Sequence, residues 1–381
     1  MDRIFAKTAA VTLAAVLFLP VKAQALSARR ATVMDATTGQ TLFSRRGEEQ
    51  ALIASTTKIM TALVVCEQCN VLSRYRIPKE AVGIEGSSMY LKEGEVLTVQ
   101  ELLYGLMLSS GNDAAVALAC FCGGNPADFV ELMNDKARTL GLKHTHFANP
   151  NGLDAPDHHS SAQDLAVLAA YAMENPIFAK TVSTKTIQAG GRMLRNHNKL
   201  LWQYEGCTGM KTGYTRQAGR TLVSSAERNG QTLVCVTLND RDDWNDHKAL
   251  LDYGFSAFPR QVLAEEGEEL GRVPLQGSLL HMASVEARET VAYPLKQGEE
   301  VTMEVDLPDQ AEAPGEIAGS VRFLVGSRQV GQTYLVWSGS ARRDVVKERP
   351  VDSPLDFLPQ STPPTYEEML SLFSKAGTVS E

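Results

Sequence analysis

Between residues 31 and 44 apolar and polar side chains alternate, turn at Thr38-Gly39 and resume with Thr41-Leu42-Phe43, the period-two pattern of a β-hairpin. From Ser55 the period lengthens. Ile59, Met60, Leu63 and Val64 fall on one helical face, which puts Ser55 at or near the start of that helix. The positive end of a helix dipole there favours a developing anion. Two further apolar helices are expected over 98–108 and 113–122, interrupted by Ser109-Ser110-Gly111-Asn112, whose small and turn-forming residues break the helical period. Helices follow over 127–140 and 161–174, with a turn-rich stretch at 149–159. After Gly206 the pattern becomes β-rich at 220–226 and 231–238, around the hairpin signal Glu227-Arg228-Asn229-Gly230, and helix returns over 246–255. These elements predict an α+β domain in which helices pack on the faces of a central antiparallel sheet.

From Pro259 onward the helical period disappears, and short β-type runs at 291–295, 301–307, 320–325 and 332–336 predict a small all-β domain. Five prolines between Pro350 and Pro364 read as an extended linker, after which Tyr366, Met369, Leu370 and Phe373 mark one face of a short terminal helix. At 381 residues, 44% of them hydrophobic, the chain is long enough for this plan: a first domain over 26–258, a second over 259–348 and a tail over 349–381.

Residues 1–25 read as a secretory leader. Arg3 and Lys7 precede an apolar run at 9–19 and the small-residue site Ala23-Gln24-Ala25, so the mature chain is expected to begin near Leu26. Asp2 is out of keeping with that pattern, and a buried N-terminal helix is the alternative. Cleavage would remove Arg3, Lys7, Lys22 and Asp2 and deepen the formal charge from −8 to −10, so a basic nucleic-acid footprint is absent. No later apolar stretch reaches the roughly 18–20 residues needed to span a bilayer. An exported chain meets oxidising conditions, which permit disulfides among Cys66, Cys69, Cys120, Cys122, Cys207 and Cys235 without dictating the pairs. Cys66-x-x-Cys69 with Cys120-x-Cys122 has poor zinc-ligand spacing, so disulfides or inert thiols are expected rather than a metal or cofactor. His144, His146, His158 and His159 form no metal-binding arrangement and are expected in loops.

Ser55-Thr56-Thr57-Lys58 sets a hydroxyl and an amine three residues apart on one helical face, where the amine can take the hydroxyl proton. Alone this is also the pattern of an ordinary capped helix start. Two further motifs follow in order: Ser110-Gly111-Asn112 in the break between apolar helices, and Lys211-Thr212-Gly213 leading into a β-hairpin. Ser-x-x-Lys, Ser-Asp-Asn and Lys-Thr-Gly mark penicillin-binding proteins and class A β-lactamases, and here Gly111 replaces the Asp of the middle motif.

On these motifs the chain resembles the low-molecular-mass penicillin-binding proteins, specifically the D-alanyl-D-alanine carboxypeptidases, in which Ser-Gly-Asn is the usual middle motif. The resemblance extends to Gly86-Ser87-Ser88-Met89, Asn112-Asp113-Ala114, Asn151-Gly152-Leu153 and Met210-Lys211-Thr212-Gly213-Tyr214-Thr215, and covers residues 27–255. It implies Ser55 as nucleophile, Lys58 as its base and Ser110 as a proton relay. It further implies that Asn112 binds the substrate amide, that Lys211 supplies positive potential while Thr212 contacts the terminal carboxylate beside Gly213, and that the backbone N–H groups of Ser55 and Tyr214 form an oxyanion hole. Lys58 must then be uncharged, which burial and a nearby Lys211 ammonium would favour.

The implied substrate is a peptidoglycan stem peptide, with β-lactams as inhibitors. A Glu-x-x-Leu-Asn pattern, which would supply the deacylating glutamate of a class A β-lactamase, is not found. A D,D-endopeptidase or transpeptidase acting on cross-links, and a non-catalytic wall-binding protein, stay as alternatives. The resemblance also implies a C-terminal amphipathic helix that associates with the membrane. Here Glu367 and Glu368 stand against Lys375 alone, a balance that weakens attraction to anionic lipid, and a packed or unstructured tail is the competing reading.

Overall fold

The computed structural model describes residues 26–274, 282–307 and 317–337; the expected leader, the proline-rich linker and the terminal helix lie outside the described residues. The chain divides into two compact units. One takes in the described residues of Met1–Glu266, Glu289–Val305 and Val321–Thr333, the other the described residues of Gly267–Arg288, Asp306–Ser320 and Tyr334–Glu381.

The first unit is built on a five-stranded antiparallel sheet. The N-terminal hairpin pairs β1 (Arg30–Asp35) with β2 (Thr41–Arg45), and Gly39 takes the positive φ of 69° that the turn needs. Chain order then runs through α1 (Lys58–Gln68), α2 (Val99–Leu108), α3 (Asn112–Gly123), α4 (Pro126–Thr139), α5 (Ala162–Met173) and α6 (Pro176–Ser183). Strands β3 (Cys207–Thr215), β4 (Gly219–Arg228) and β5 (Gln231–Leu238) complete the sheet in the order β2-β1-β5-β4-β3, and α7 (Asp243–Ala257) follows. Asn229 and Gly230 join β4 to β5 with φ of 52° and 71°, the left-handed pair of a two-residue hairpin turn.

Neighbouring residues on the central strands feed two different cores. Val223, Val234 and Val236 pack with Leu63 of α1, Leu103 of α2, Leu118 of α3 and Leu165 of α5. Leu222, Leu233 and Cys235 point the other way, onto Leu250 and Leu251 of α7. Burial on both faces explains why Leu233-Val234-Cys235-Val236 in β5 is continuously apolar rather than alternating. Thr98 and Glu101 form a capping box at the start of α2, while Asn125, Ser161 and Asn175 cap α4, α5 and α6. Helix α1 is buried continuously from Lys58 through Val65. Its Ile59, Met60 and Leu63 are 0% exposed, and burial of each such side chain contributes about 1.5–3 kcal/mol. The helix that carries Lys58 is therefore the axis of the core.

A disulfide joins Cys69, just past α1, to Cys122 in the last turn of α3, closing a 53-residue separation. In the chain-entropy view such a loop is worth about 4 kcal/mol. Cys66, Cys120, Cys207 and Cys235 are free thiols. Among the described residues no cluster of three or more His, Cys, Asp or Glu is arranged to hold a metal, and no helix is long and apolar enough to cross a membrane.

The C-terminal region is sheet-rich, as expected. Its strands include Val291–Pro294, Val301–Asp306, Ile317–Val325 and Arg328–Trp337, near the four expected runs, and three more at Arg260–Ala264, Glu269–Pro274 and Met282–Ala287. Arg260–Ala264 pairs with Val291–Pro294 in the first unit. In the second, Met282–Ala287 pairs antiparallel with Glu269–Pro274 and, at its end, with Leu335, Val336 and Trp337.

Candidate active site

Ser55 sits in a 3-10 turn, Ala54–Thr57, that runs directly into α1. Lys58, three residues on, brings its Nζ to 2.9 Å from Ser55 Oγ. The same nitrogen donates to Asn112 Oδ1 at 2.7 Å and to the Asn151 carbonyl at 2.5 Å. A neutral amine has two hydrogens and one lone pair. Two acceptors take the hydrogens, and the lone pair is left for the Ser55 hydroxyl. Burial, and then the charge of Lys211, hold the Lys58 pKa well below its ordinary value, with Asp113 opposing. Lys58 is 0% exposed. The site thus supplies both the geometry and the charge state of a base.

The middle motif is fixed by the helix start that follows it. Ser110 adopts φ of 60° and Ala54, just before Ser55, φ of 47°. Left-handed conformations at non-glycine residues cost about 1–3 kcal/mol each; Ser110 lines the cleft and Ala54 directly precedes Ser55, which lines it too. Asn112 Nδ2 donates to the Glu85 carbonyl at 2.6 Å, which turns its Oδ1 toward Lys58 and leaves one N–H free. The Asp113 carboxylate accepts from the Met89 and Leu91 N–H groups, each at 3.0 Å, and from Ser88 Oγ at 2.6 Å. That clamp ties the Gly86-Ser87-Ser88-Met89 segment to the head of α3.

The third motif lies within β3. Lys211 is buried and donates to the Thr212 carbonyl at 2.8 Å, and burial pushes its pKa down to about 7. Gly213 is where this strand passes the Ser55 turn. A Cβ there would stand 2.9 Å from the Ser55 nitrogen and 2.4 Å from Thr221 Oγ1, so only glycine allows the approach.

Two loop residues brace the turn from behind. The Ala148 N–H donates to His158 Nδ1 at 3.0 Å, so Nε2 carries the hydrogen and gives it to Thr57 Oγ1 at 2.8 Å; Thr57 in turn donates to the Ala54 carbonyl at 2.9 Å. Burial lowers the His158 pKa to about 4, which keeps the ring neutral. All four histidines of this segment lie outside helices, but His158 is a buried structural member. Gly152, at φ of 88°, presses against the same turn, and a Cβ on it would fall 2.0 Å from the Ala54 carbonyl oxygen. Gly152→Ala is expected to destabilise the protein by at least about 2 kcal/mol, a fall in melting temperature of about 4–8 °C. Gly39→Ala, with φ of 69° but open space around it, carries the backbone strain alone and is expected to cost about 1 kcal/mol. Equal melting points for the two variants would refute the steric argument.

A cleft of about 430 Å³ opens over these groups. Ser55, Ser110, Thr212, Gly213 and Tyr214 line it, with Lys58 and Asn112 bonded beneath and Lys211 near enough to act on Lys58. Ser87, His197, Arg220, Asp243 and Trp244 complete the lining. The sequence reading assigned none of these five a role. Arg220 holds Asp243 through Nε at 3.0 Å and Nη2 at 2.7 Å, and its guanidinium lies 5.9 Å from the Trp244 ring centroid. Arg220, the second residue of β4, reaches the cleft through its register opposite Tyr214. His197, Asp243 and Trp244 carry no local signal.

The sequence matches the family described as D-alanyl-D-alanine carboxypeptidase over residues 19–242. It is 31% identical over 336 residues to D-alanyl-D-alanine carboxypeptidase DacF of Bacillus subtilis (strain 168), spanning 84% of this chain and 86% of that protein. Among solved structures, penicillin binding protein 5 from Haemophilus influenzae superposes with a TM-score of 0.69 at 29% identity, covering 83% of this chain and 98% of the other. Penicillin binding protein 6B from Escherichia coli gives 0.67 at 30% identity, covering 84% and 98%.

Proposed function

The chain belongs to the D-alanyl-D-alanine carboxypeptidase family, and from that premise we propose that it removes the terminal D-alanine of peptidoglycan stem pentapeptides through an acyl-enzyme on Ser55. It is a serine peptidase that β-lactams acylate, and it acts on peptidoglycan in the cell envelope. The observation that carries the residue assignment is the Lys58 nitrogen 2.9 Å from Ser55 Oγ, buried, with its pKa depressed and its two other neighbours both acceptors.

In this reading Lys58 takes the Ser55 proton as Oγ attacks the carbonyl of the penultimate D-alanine. The developing oxyanion lies between the N–H groups of Ser55 and Tyr214. Ser110 passes the proton to the departing D-alanine nitrogen. The free Asn112 N–H meets the substrate amide, and Lys211 with Thr212 holds the terminal carboxylate. Water then attacks the ester, Lys58 again taking the proton, and restores Ser55. The same proposal keeps residues 26–258 as the peptidase domain, 259–348 as the all-β domain and 1–25 as a leader removed on export. Association with the membrane through the C-terminal helix falls outside the described residues and forms no part of it.

Free D-alanine released from a pentapeptide ending in D-alanyl-D-alanine, measured beside cleavage of cross-linked dimers, tests the reaction. Pentapeptide turnover with D-alanine release is expected. Cleavage of dimers alone would make the chain an endopeptidase.

A further inference from the structure

A second cleft, of about 470 Å³, lies outside the catalytic one and is lined in part by Lys185, Trp202, Tyr204 and Cys207. It borders a small hairpin, Thr186–Ala189 paired with Arg192–Arg195, whose register sets Thr186 opposite Arg195 and Gln188 opposite Met193. Alternation sends Ala189 and Leu194 into the helical core and leaves Thr186, Gln188, Met193 and Arg195 outward. Met193 is 73% exposed and Trp202 42%. The Arg195 guanidinium stands 5.1 Å from the Trp202 ring centroid.

The charge on this face runs against that of the whole chain. The sequence carries a formal −8, yet Lys185, Arg195 and Lys199 are all exposed and none is in an ion pair among the described residues. Glu205, on the cleft rim, is the neighbouring acid. The face is also continuous with the catalytic cleft. His197, two residues beyond Arg195, lines that cleft, and Lys199 Nζ lies 6.0 Å from the ring of Trp244, which lines it too. Unpaired cations beside exposed Trp and Met call for a partner with carboxylates and apolar ring faces together. A glycan strand bearing acidic stem peptides has both.

We propose that the outer face of the 186–195 hairpin, with the Trp202 turn, is a docking surface for the peptidoglycan strand from which the scissile stem hangs. The inference rests on the substrate reading above. The strand's carboxylates meet Lys185 and Arg195, a sugar ring lies against Trp202, and Lys199 leads toward the catalytic cleft. Small substrates reach Ser55 without touching this face.

The double variant Lys185→Glu/Arg195→Glu tests the surface; both side chains are exposed, and Lys199 is left in place because it adjoins Trp244. Pelleting with insoluble peptidoglycan sacculi at low salt is expected to weaken by about tenfold, with a parallel fall in D-alanine release from sacculi, as expected for reversing complementary charge. Release from a soluble pentapeptide and the rate of penicillin acylation stay unchanged. Added salt lowers wild-type pelleting more than that of the variant. Unchanged pelleting overturns the proposal, as does an equal loss on every substrate. So does a loss confined to phosphatidylglycerol vesicles, which would make the face a lipid surface. Trp202→Ala with both cations intact is a second variant, expected to weaken sacculus pelleting alone. A wild-type chain that takes up no penicillin sinks the catalytic reading instead, and the pelleting comparison still decides the surface.

Discussion

Ser55→Ala is expected to abolish covalent labelling by a fluorescent penicillin and to lower D-alanine release on the order of 10⁴-fold or more. The change removes one oxygen and leaves the surroundings intact. Ser55 is half-buried, and Lys58 keeps its bonds to Asn112 and Asn151 without it. Melting temperature therefore stays close to that of the wild type, and binding of uncleaved pentapeptide survives. Residual turnover would come from positioning and the oxyanion site alone. Labelling that persists in the variant would move the nucleophile elsewhere.

The second large effect is the dependence of acylation on the two lysines. Lys58→Met replaces a buried amine, held neutral by its surroundings, with an apolar chain of similar length, so no buried charge is created. Acylation by penicillin is expected to slow by about 10²–10⁴-fold, the usual contribution of a positioned base. The pH profile of the wild type carries the sign of each group. In the proposed mechanism Lys58 acts as base only when unprotonated, so kcat/KM is expected to rise with pH through its depressed pKa. Lys211 in that mechanism attracts the carboxylate only when protonated, so kcat/KM is expected to fall as pH climbs past about 7 in the free enzyme. Lys211→Arg, whose guanidinium stays charged, is expected to lose the falling limb and keep the rising one. Stopped-flow acylation across pH 5–10 reads both. A falling limb that survives Lys211→Arg would remove Lys211 from this role.

What the sequence revealed and what it concealed divide along the line between local and distant. Ser55 and Lys58 share one helix start, and Ser110 and Asn112 share one break between helices, so each lies in a short contiguous motif onto which the family resemblance could carry a role. The β4–β5 hairpin announced itself through Asn229-Gly230. By contrast, Arg220 reaches the cleft only through the register of β3 against β4, and Asp243 and Trp244 only through the way α7 leaves β5. Nothing near His197 in the chain marks it. The protonation of His158 depends on an N–H from Ala148, and the left-handed Ser110 has no compositional cue because serine does not ordinarily prefer that conformation. The pairing of Cys69 with Cys122 likewise follows from α1 lying beside α3, not from the spacing of cysteines.

Helix α1 is enclosed on every side from Lys58 to Val65. A helix open to water on one flank can drift a little when its packing is disturbed; this one has nowhere to go. The reacting pair consequently inherits the stiffness of the molecule's interior, and with it the interior's fragility. A void opened under Leu63 or Leu118 would be felt at Ser55 before the molecule came apart, so that losses of turnover and of robustness travel together along this axis.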